Sequence, residues 1–260
     1  MRGVTLQEDP AREPCFHCVT LDSEMQEWPG MSDISRRERL HRHMNNECGA
    51  LEIAAQALVD FADAPWDLKL RLARQAADEA RHTALLYRRL RELGGTKGEF
   101  PVANIEWGIT GMIENLAGRL AIQNRTFEAG LIDLLGNLRN TWREAGDHAT
   151  ADLLDGILAD EIVHVRYGNR WIRRLTEQRP AVLLQVAMAV RLLRQALRGL
   201  APADGDVNRS GLVLTTKLPP AVYVSGRLEA EFTEAEVEEV LRQAGFRSIL
   251  PHPLVEQARG

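Results

Sequence analysis

The chain has 260 residues, enough for one large domain or one domain with appendages. Hydrophobic residues make up 45% and aromatic residues only 5%, so a core must be built mostly from Ala, Leu, Ile and Val, a mix that favours helices over strands. A formal net charge of -5 with no Lys/Arg block argues against a nucleic-acid partner. The N-terminus carries Glu8, Asp9 and Glu13 and lacks the apolar run of a secretory signal. Three cysteines give no disulfide framework, so a reducing cytoplasm is the expected location.

Residues 1–31 read as an irregular extension, with Pro10, Pro14 and Pro29-Gly30 as breakers. Ser32-Asp33 is an N-cap signal for a helix from Ile34 to about Phe61, where Leu40, Met44, Leu51, Ala54, Ala55 and Leu58 recur at helical spacing. Asp63-Ala64-Pro65 turns the chain into a second helix, closed near Leu93 by Gly94-Gly95. After a loop from Thr96 to Ala103, a third helical region spans about Ile105 to Ala145, with kinks expected at Gly108, Gly111 and Ala129-Gly130. Gly146-Asp147 separates it from a fourth helix, about His148 to Gln178.

A fifth helix, about Ala181 to Leu200, is apolar but interrupted by Arg191, Arg194 and Arg198. It reads as a packed amphipathic helix rather than a membrane span. Residues 32–200 thus form an all-α helical bundle, and 201–260 a C-terminal extension. Its expected parts are a polar linker over Ala201–Asp206, extended chain over Gly211–Gly226, and a short helix to about Ala244 opened by a Thr233/Glu236 capping box.

The chemistry lies in a two-fold echo within the bundle. Asp-Glu occurs twice, at Asp78-Glu79 and Asp160-Glu161, and each Glu is followed three residues later by His82 or His164. Positions i and i+3 share a helix face, so each motif offers a carboxylate and an imidazole to one point. Glu47 lies 32 residues before Glu79, and Glu128 lies 33 before Glu161, each in mid-helix among small and apolar residues. A carboxylate buried there without a partner costs several kcal/mol, roughly 2 or more. Two divalent ions against four glutamates make a neutral site, with both imidazoles as neutral ligands. The oxygen-rich donor set suits iron, with manganese as the alternative, and lacks the thiolates of structural zinc. Glu38-Arg39-Leu40-His41 is a third Glu-x-x-His and reads as a decoy.

One Glu from each of two helices with Glu-x-x-His from each of two others is the di-metal pattern of ferritin-like bundles. At Asn46–Glu52, Asp78–His82, Thr126–Asp133 and Asp160–Val165 the sequence resembles the ferritin-like di-iron carboxylate superfamily, and within it a bacterial ferritin-like family catalogued as a domain of unknown function. The resemblance covers about residues 32–180 and implies a four-helix bundle. It also implies that Glu79 and Glu161 bridge two metals, that Glu47 and His82 complete one site, and that Glu128 and His164 complete the other. Asp78 and Asp160 would accept the ring N–H of the histidines and fix their tautomers.

Four further residues have two readings each. His43, one turn before Glu47, is a seventh ligand, as in some N-oxygenating relatives, or a core histidine. Asn124, four residues before Glu128, bonds a ligand or substrate, or satisfies a neighbouring helix. Tyr167 is an electron relay or a packed tyrosine, with packing the better reading. Cys48 adjoins Glu47 but points about 100° away, which favours packing. Cys15-Phe16-His17-Cys18 has half the spacing of a zinc or rubredoxin-like site and no second pair, so it reads as free thiols in a mobile segment.

The leading functional expectation is an O2-activating non-heme di-iron oxidase or oxygenase acting on a small organic substrate, with nitrogen oxidation of an amine or hydrazine in specialised metabolism as one candidate reaction. It would need an electron donor or reductase, and the helices beyond the bundle would wall a pocket or build a homodimer. Two alternatives stay open: a ferroxidase, peroxidase or manganese-catalase-like protein, and a non-catalytic metal-stabilised interaction module.

Overall fold

A computed structural model of the chain describes residues 10–20, 24–26, 28, 30–200 and 222–245, and its regular structure is almost all α-helix, as the composition predicts. The chain forms two compact units, Met1–Arg119 and Leu120–Gly260. No helix among the described residues is long and apolar enough to cross a membrane.

In the first unit, helices α1 (Asp33–Asp60) and α2 (Trp66–Glu92) are joined by a short turn and pack along each other. The caps fall where the sequence puts them. Ser32 Oγ accepts from Ser35 N at 3.4 Å to open α1, and Gly94 adopts φ 80 beyond the end of α2. The apolar stripe of α1 buries Leu40, Met44, Ile53 and Ala54, and that of α2 buries Leu68, Leu72, Leu86 and Leu90.

The N-terminal segment is more ordered than its prolines suggest. Strand β1 (Cys18–Val19) pairs in parallel with β2 (Val102–Ala103), inside the stretch expected to be a loop. Arg12 then ties the segment to α1. Its side chain, 6% exposed, donates to Asn45 Oδ1 at 2.8 Å and to both oxygens of Glu52 at 2.9 and 2.8 Å. A buried guanidinium of this kind is stable only with such partners, and these come from distant sequence that no local pattern reveals.

The third helical region is not one helix. It divides into α3 (Ile105–Gly111), α4 (Leu116–Ile122), a π-helical turn (Gln123–Glu128) and α5 (Ala129–Glu144). The expected kink at Gly111 is a full break. Asn115 restarts the helix, its Oδ1 accepting from Gly118 N at 2.7 Å. Arg119 donates to the Ile113 carbonyl freed by the break, and pairs with Asp60 at 3.0 Å. Gly108 and Ala129-Gly130 lie inside α3 and α5 without a break.

In the second unit, the π-turn and α5 pack on α6 (His148–Gln178), burying Ile132, Leu135, Trp142, Leu154, Ile157 and Val165. Asp147 caps α6, accepting from Thr150 N at 3.0 Å. Helix α7 (Val182–Leu200) follows at once. The expected linker over 201–206 and most of the expected extended stretch lie outside the described residues. The end of that stretch is corrected: Val224–Glu229 is a helix, α8, held by contacts to α5 that override its β-branched sequence. Helix α9 (Glu234–Gln243) carries the Thr233/Glu236 capping box in both directions.

Candidate functional site

Each unit carries one buried triad. In the first, Glu47 projects from α1, and Glu79 and His82 from one face of α2. The three are 0–1% exposed, and each places a ligand atom within 4.8 Å of the others. His82 Nδ1 lies 3.1 Å from Glu47 Oε2 and 3.2 Å from Glu79 Oε2. An ionised carboxylate only accepts, so Nδ1 carries the proton when these contacts are hydrogen bonds.

His43, one turn before Glu47, brings Nε2 to 2.6 Å from Glu47 Oε1. Burial pushes the Glu47 carboxyl up. The contacts with His43, His82 and Glu79 outweigh it and hold the group well below the usual carboxylate range. Gln75, one turn before Glu79, donates to Glu79 Oε1 at 3.1 Å.

In the second unit, Glu128 closes the π-turn, and Glu161 and His164 share one face of α6. All three are buried, again with one ligand atom each inside 4.8 Å. His164 Nδ1 lies 3.2 Å from Glu161 Oε2. Gln123 donates to Glu128 Oε1 at 2.8 Å from five residues upstream. That spacing follows from the extra residue of a π-turn, which puts i and i+5 in line where an α-helix would align i and i+4. Asn124, at i−4, faces α6 instead and donates to the Tyr167 hydroxyl at 3.1 Å and the His164 carbonyl at 3.3 Å. Gly168 makes this approach possible, since a Cβ there would sit 2.6 Å from Asn124 Cβ.

The donor chemistry of both triads fits a divalent cation. Two buried carboxylates lie beside one imidazole nitrogen in each triad, and burial together with their mutual repulsion disfavours the doubly ionised pair. A divalent ion would offset the charge of both carboxylates, and Glu47, Glu79 and His82 in one unit, or Glu128, Glu161 and His164 in the other, would hold it. These buried Glu/His groups could therefore hold metal.

The other sequence candidates separate clearly. Asp78 is buried and paired with Arg74 Nε at 2.7 Å and Arg81 at 3.3 Å, while Asp160 is half-buried. The decoy motif is occupied elsewhere: Glu38 pairs with Arg42, and His41 Nε2 accepts from Gly98 N at 2.9 Å. Burial pulls the His41 imidazole down, against Glu99. Tyr167 is packed, as its surroundings predict, with its hydroxyl taken by Asn124. Cys48 is half-buried, and burial pushes its thiol up. Cys15 and Cys18 are free and exposed, with Cys18 held in β1. Gln75 and Gln123, which bond Glu79 and Glu128, are site neighbours that sequence reasoning missed. Gln75 was readable at i−4 from Glu79, whereas Gln123 was readable only once the π-turn was known.

A family model described as "Protein of unknown function (DUF455)" matches residues 3–202. The chain belongs to that family. A relative from Haemophilus influenzae, described as "Uncharacterized protein", is 32% identical over 107 residues; the match spans 41% of this chain and only 37% of that protein. No solved structure matches the chain. All four Glu ligand candidates and both His candidates lie within the family match.

Proposed function

We propose that the chain binds two redox-active metal ions, one on each buried triad, as a ferritin-like protein does, and uses them with O2 to oxidise a small organic substrate. The observation that carries this reading is the duplication itself: a Glu and a Glu-x-x-His, brought to 4.8 Å by two separate pairs of structural elements. A single such group is common; a second with the same residue types at matching sequence spacing is not expected of solvated helix faces. Iron is the preferred metal and manganese the alternative, because the donors are hard oxygens with two imidazoles. Bound there, iron would supply the one-electron chemistry that O2 activation requires.

The chain's own residues have definite tasks. Gln75 and Gln123 fix the orientation of Glu79 and Glu128, which keeps each carboxylate aimed before the ion arrives. His82, with Nδ1 between Glu47 and Glu79, would offer that nitrogen to an ion once its proton had left. Asn124 holds Tyr167 and the main chain of His164, fixing the ring of the second triad. Nitrogen oxidation of an amine or hydrazine is the candidate reaction, with an external electron donor. Three free thiols suit a reducing compartment such as the cytoplasm.

One observation favours a second reading. All six candidate ligands are at most 3% exposed, and a closed site is also what a non-catalytic, metal-stabilised module would have. Anaerobic loading with Fe(II), followed by mixing with O2 under Mössbauer spectroscopy, separates the two. Two ferrous ions per chain that turn ferric within seconds support the oxidase reading. Two ions that stay ferrous support the module, and no tight iron, or one zinc instead, refutes both.

A further inference from the structure

The π-turn that carries Glu128 is gripped from outside by the C-terminal helices. Arg125, in the middle of the turn, donates from Nη1 to Asn169 Oδ1 at 2.9 Å and from Nη2 to Glu236 of α9, 111 residues away. Its guanidinium also lies 4.8 Å over the ring of Phe232, a buried residue between α8 and α9. Asn169 is fully buried and passes the contact on, its Nδ2 donating to the Ala230 carbonyl at 2.8 Å. Arg125 is therefore bonded both to α9 and, through one side chain, to the turn between α8 and α9.

The same two helices are anchored on either side of the π-turn. On α5, Arg227 of α8 pairs with Asp133 (2.6 Å from Nη2, 2.9 and 3.1 Å from Nε) and reaches the Ala129 carbonyl, the residue after Glu128, at 3.4 Å. Tyr223 N donates to the same Asp133 at 2.9 Å. The Tyr223 ring lies where a Cβ on Gly136 would sit 2.4 Å from it, so α5 has a slot for it. On α6, Arg170 and Arg173 hold Glu231, which adopts φ 65, a left-handed conformation that a non-glycine residue keeps only when its surroundings enforce it.

We infer that α8 and α9 form a clamp that sets the position of Glu128, with Arg125 as the positioning residue that transmits it. A π-turn is a strained insertion in a helix and tends to relax toward α-helical winding unless its surroundings hold it. The inside of this turn is held by Gln123, Asn124 and Glu128, and its outside by Arg125, which reaches Glu236 of α9. The consequence rests on the metal reading above: the second triad depends on the chain beyond residue 221, whereas the first triad has no counterpart of this contact among the described residues.

The test uses the full-length chain with Arg125→Ala, Arg125→Lys and the milder Glu236→Gln. Hydrogen exchange of the amides at 123–129 is measured in metal-free protein, and Co(II) binding is followed by visible absorption. Arg125→Ala is expected to speed exchange at 123–129 about ten-fold or more, with α1 and α2 amides unchanged. It should also weaken one of the two Co(II) binding events by roughly 10–100-fold and leave the other in place. Arg125→Lys, which cannot reach Asn169 and Glu236 together, should match Arg125→Ala in direction. Glu236→Gln should shift both readouts by a smaller factor. Unchanged exchange at 123–129 overturns the clamp, and faster exchange with both Co(II) events intact overturns its link to Glu128. Absence of any Co(II) binding to the wild-type chain instead refutes the metal reading, while the exchange measurement still decides whether the clamp exists.

Discussion

The two triads use the same residue types, yet the elements that present them differ. Glu47 rides on a regular helix with His43 one turn before it, and Gln75 supports its partner Glu79 at i−4. Glu128 sits on a π-turn, and its supporting glutamine has moved to i−5. The residue at i−4, Asn124, is thereby released to hold Tyr167 and His164. One inserted residue thus reassigns two polar side chains without changing the ligand set. The first triad sits on the regular turns of α1 and α2, whereas Glu128 of the second sits on a bulge whose Asn124 and Arg125 bond to distant residues.

The sharpest way to break this comparison is to remove the bulge. Deleting Thr126 should rewind 123–128 as α-helix with α5 kept in register, which moves Gln123 to i−4 from Glu128 and takes Asn124 out of line with Tyr167 and His164. Metal binding at the second triad should weaken by about 100-fold or more, and the first triad should bind as before, which two-site metal titration measures. The equivalent deletion has no target in α1, where there is no bulge to remove.

A smaller effect is expected from the supporting amides. Gln75→Met and Gln123→Met keep volume but lose the hydrogen bond to Glu79 or Glu128. Each should lower metal affinity at its own triad by roughly 10–100-fold and leave the other unchanged, as competition with a coloured chelator would show. Equal loss at both triads from either variant would contradict independent support.

The two units also each bury an ion pair, Arg119–Asp60 in the first and Arg227–Asp133 in the second. Burial lowers the Arg119 guanidinium against the pull of Asp60, and raises the Asp133 carboxyl against Arg227 and Tyr223 N. Truncating one member, as in Asp60→Ala or Asp133→Ala, strands a buried charge and should cost about 3–5 kcal/mol of stability. Replacing both members of a pair by apolar residues should recover most of it. Urea unfolding of metal-free protein reads both numbers.

The smallest effect concerns pH. Asp155 is pushed up by burial but held below its ordinary range by Arg139 and Arg143. A depressed folded-state value means that its stabilisation is present above the unfolded carboxyl value, about 3.9, and is lost as pH falls through the folded one. Asp155→Asn should therefore lower stability by about 1 kcal/mol or less at pH 7, and match the wild type once pH has fallen through the folded-state value. Asp133 has the opposite sign, because its raised value makes its charged form the costly one. Acid alone should not weaken that site in the way it weakens the Asp155 cluster.

How far the sequence was legible follows from the same contrast. Helices α1, α2 and α6 were readable because their apolar stripes have one period and their caps are local: Ser32, Gly94 and Asp147 each act within a turn. The two Glu-x-x-His motifs were readable because i and i+3 spacing depends on nothing but the helix. The break after Gly111 was visible as a glycine, but its extent was not, since Asn115 and Arg119 stabilise it through contacts up to 59 residues apart. The π-turn left no compositional mark: Gln123–Glu128 contains neither glycine nor proline. The docking of α8 was hidden for the same reason, as Asp133 and Arg227 are 94 residues apart.

The most direct test is a metal count. Wild-type chain, Glu47→Ala and Glu128→Ala are loaded anaerobically with Fe(II), desalted and assayed by mass spectrometry. The expected result is two ions for the wild type and one for each variant, with all three retaining helical circular dichroism. Equal metal content in the three proteins, or none in the wild type, would contradict the assignment of one ion to each triad.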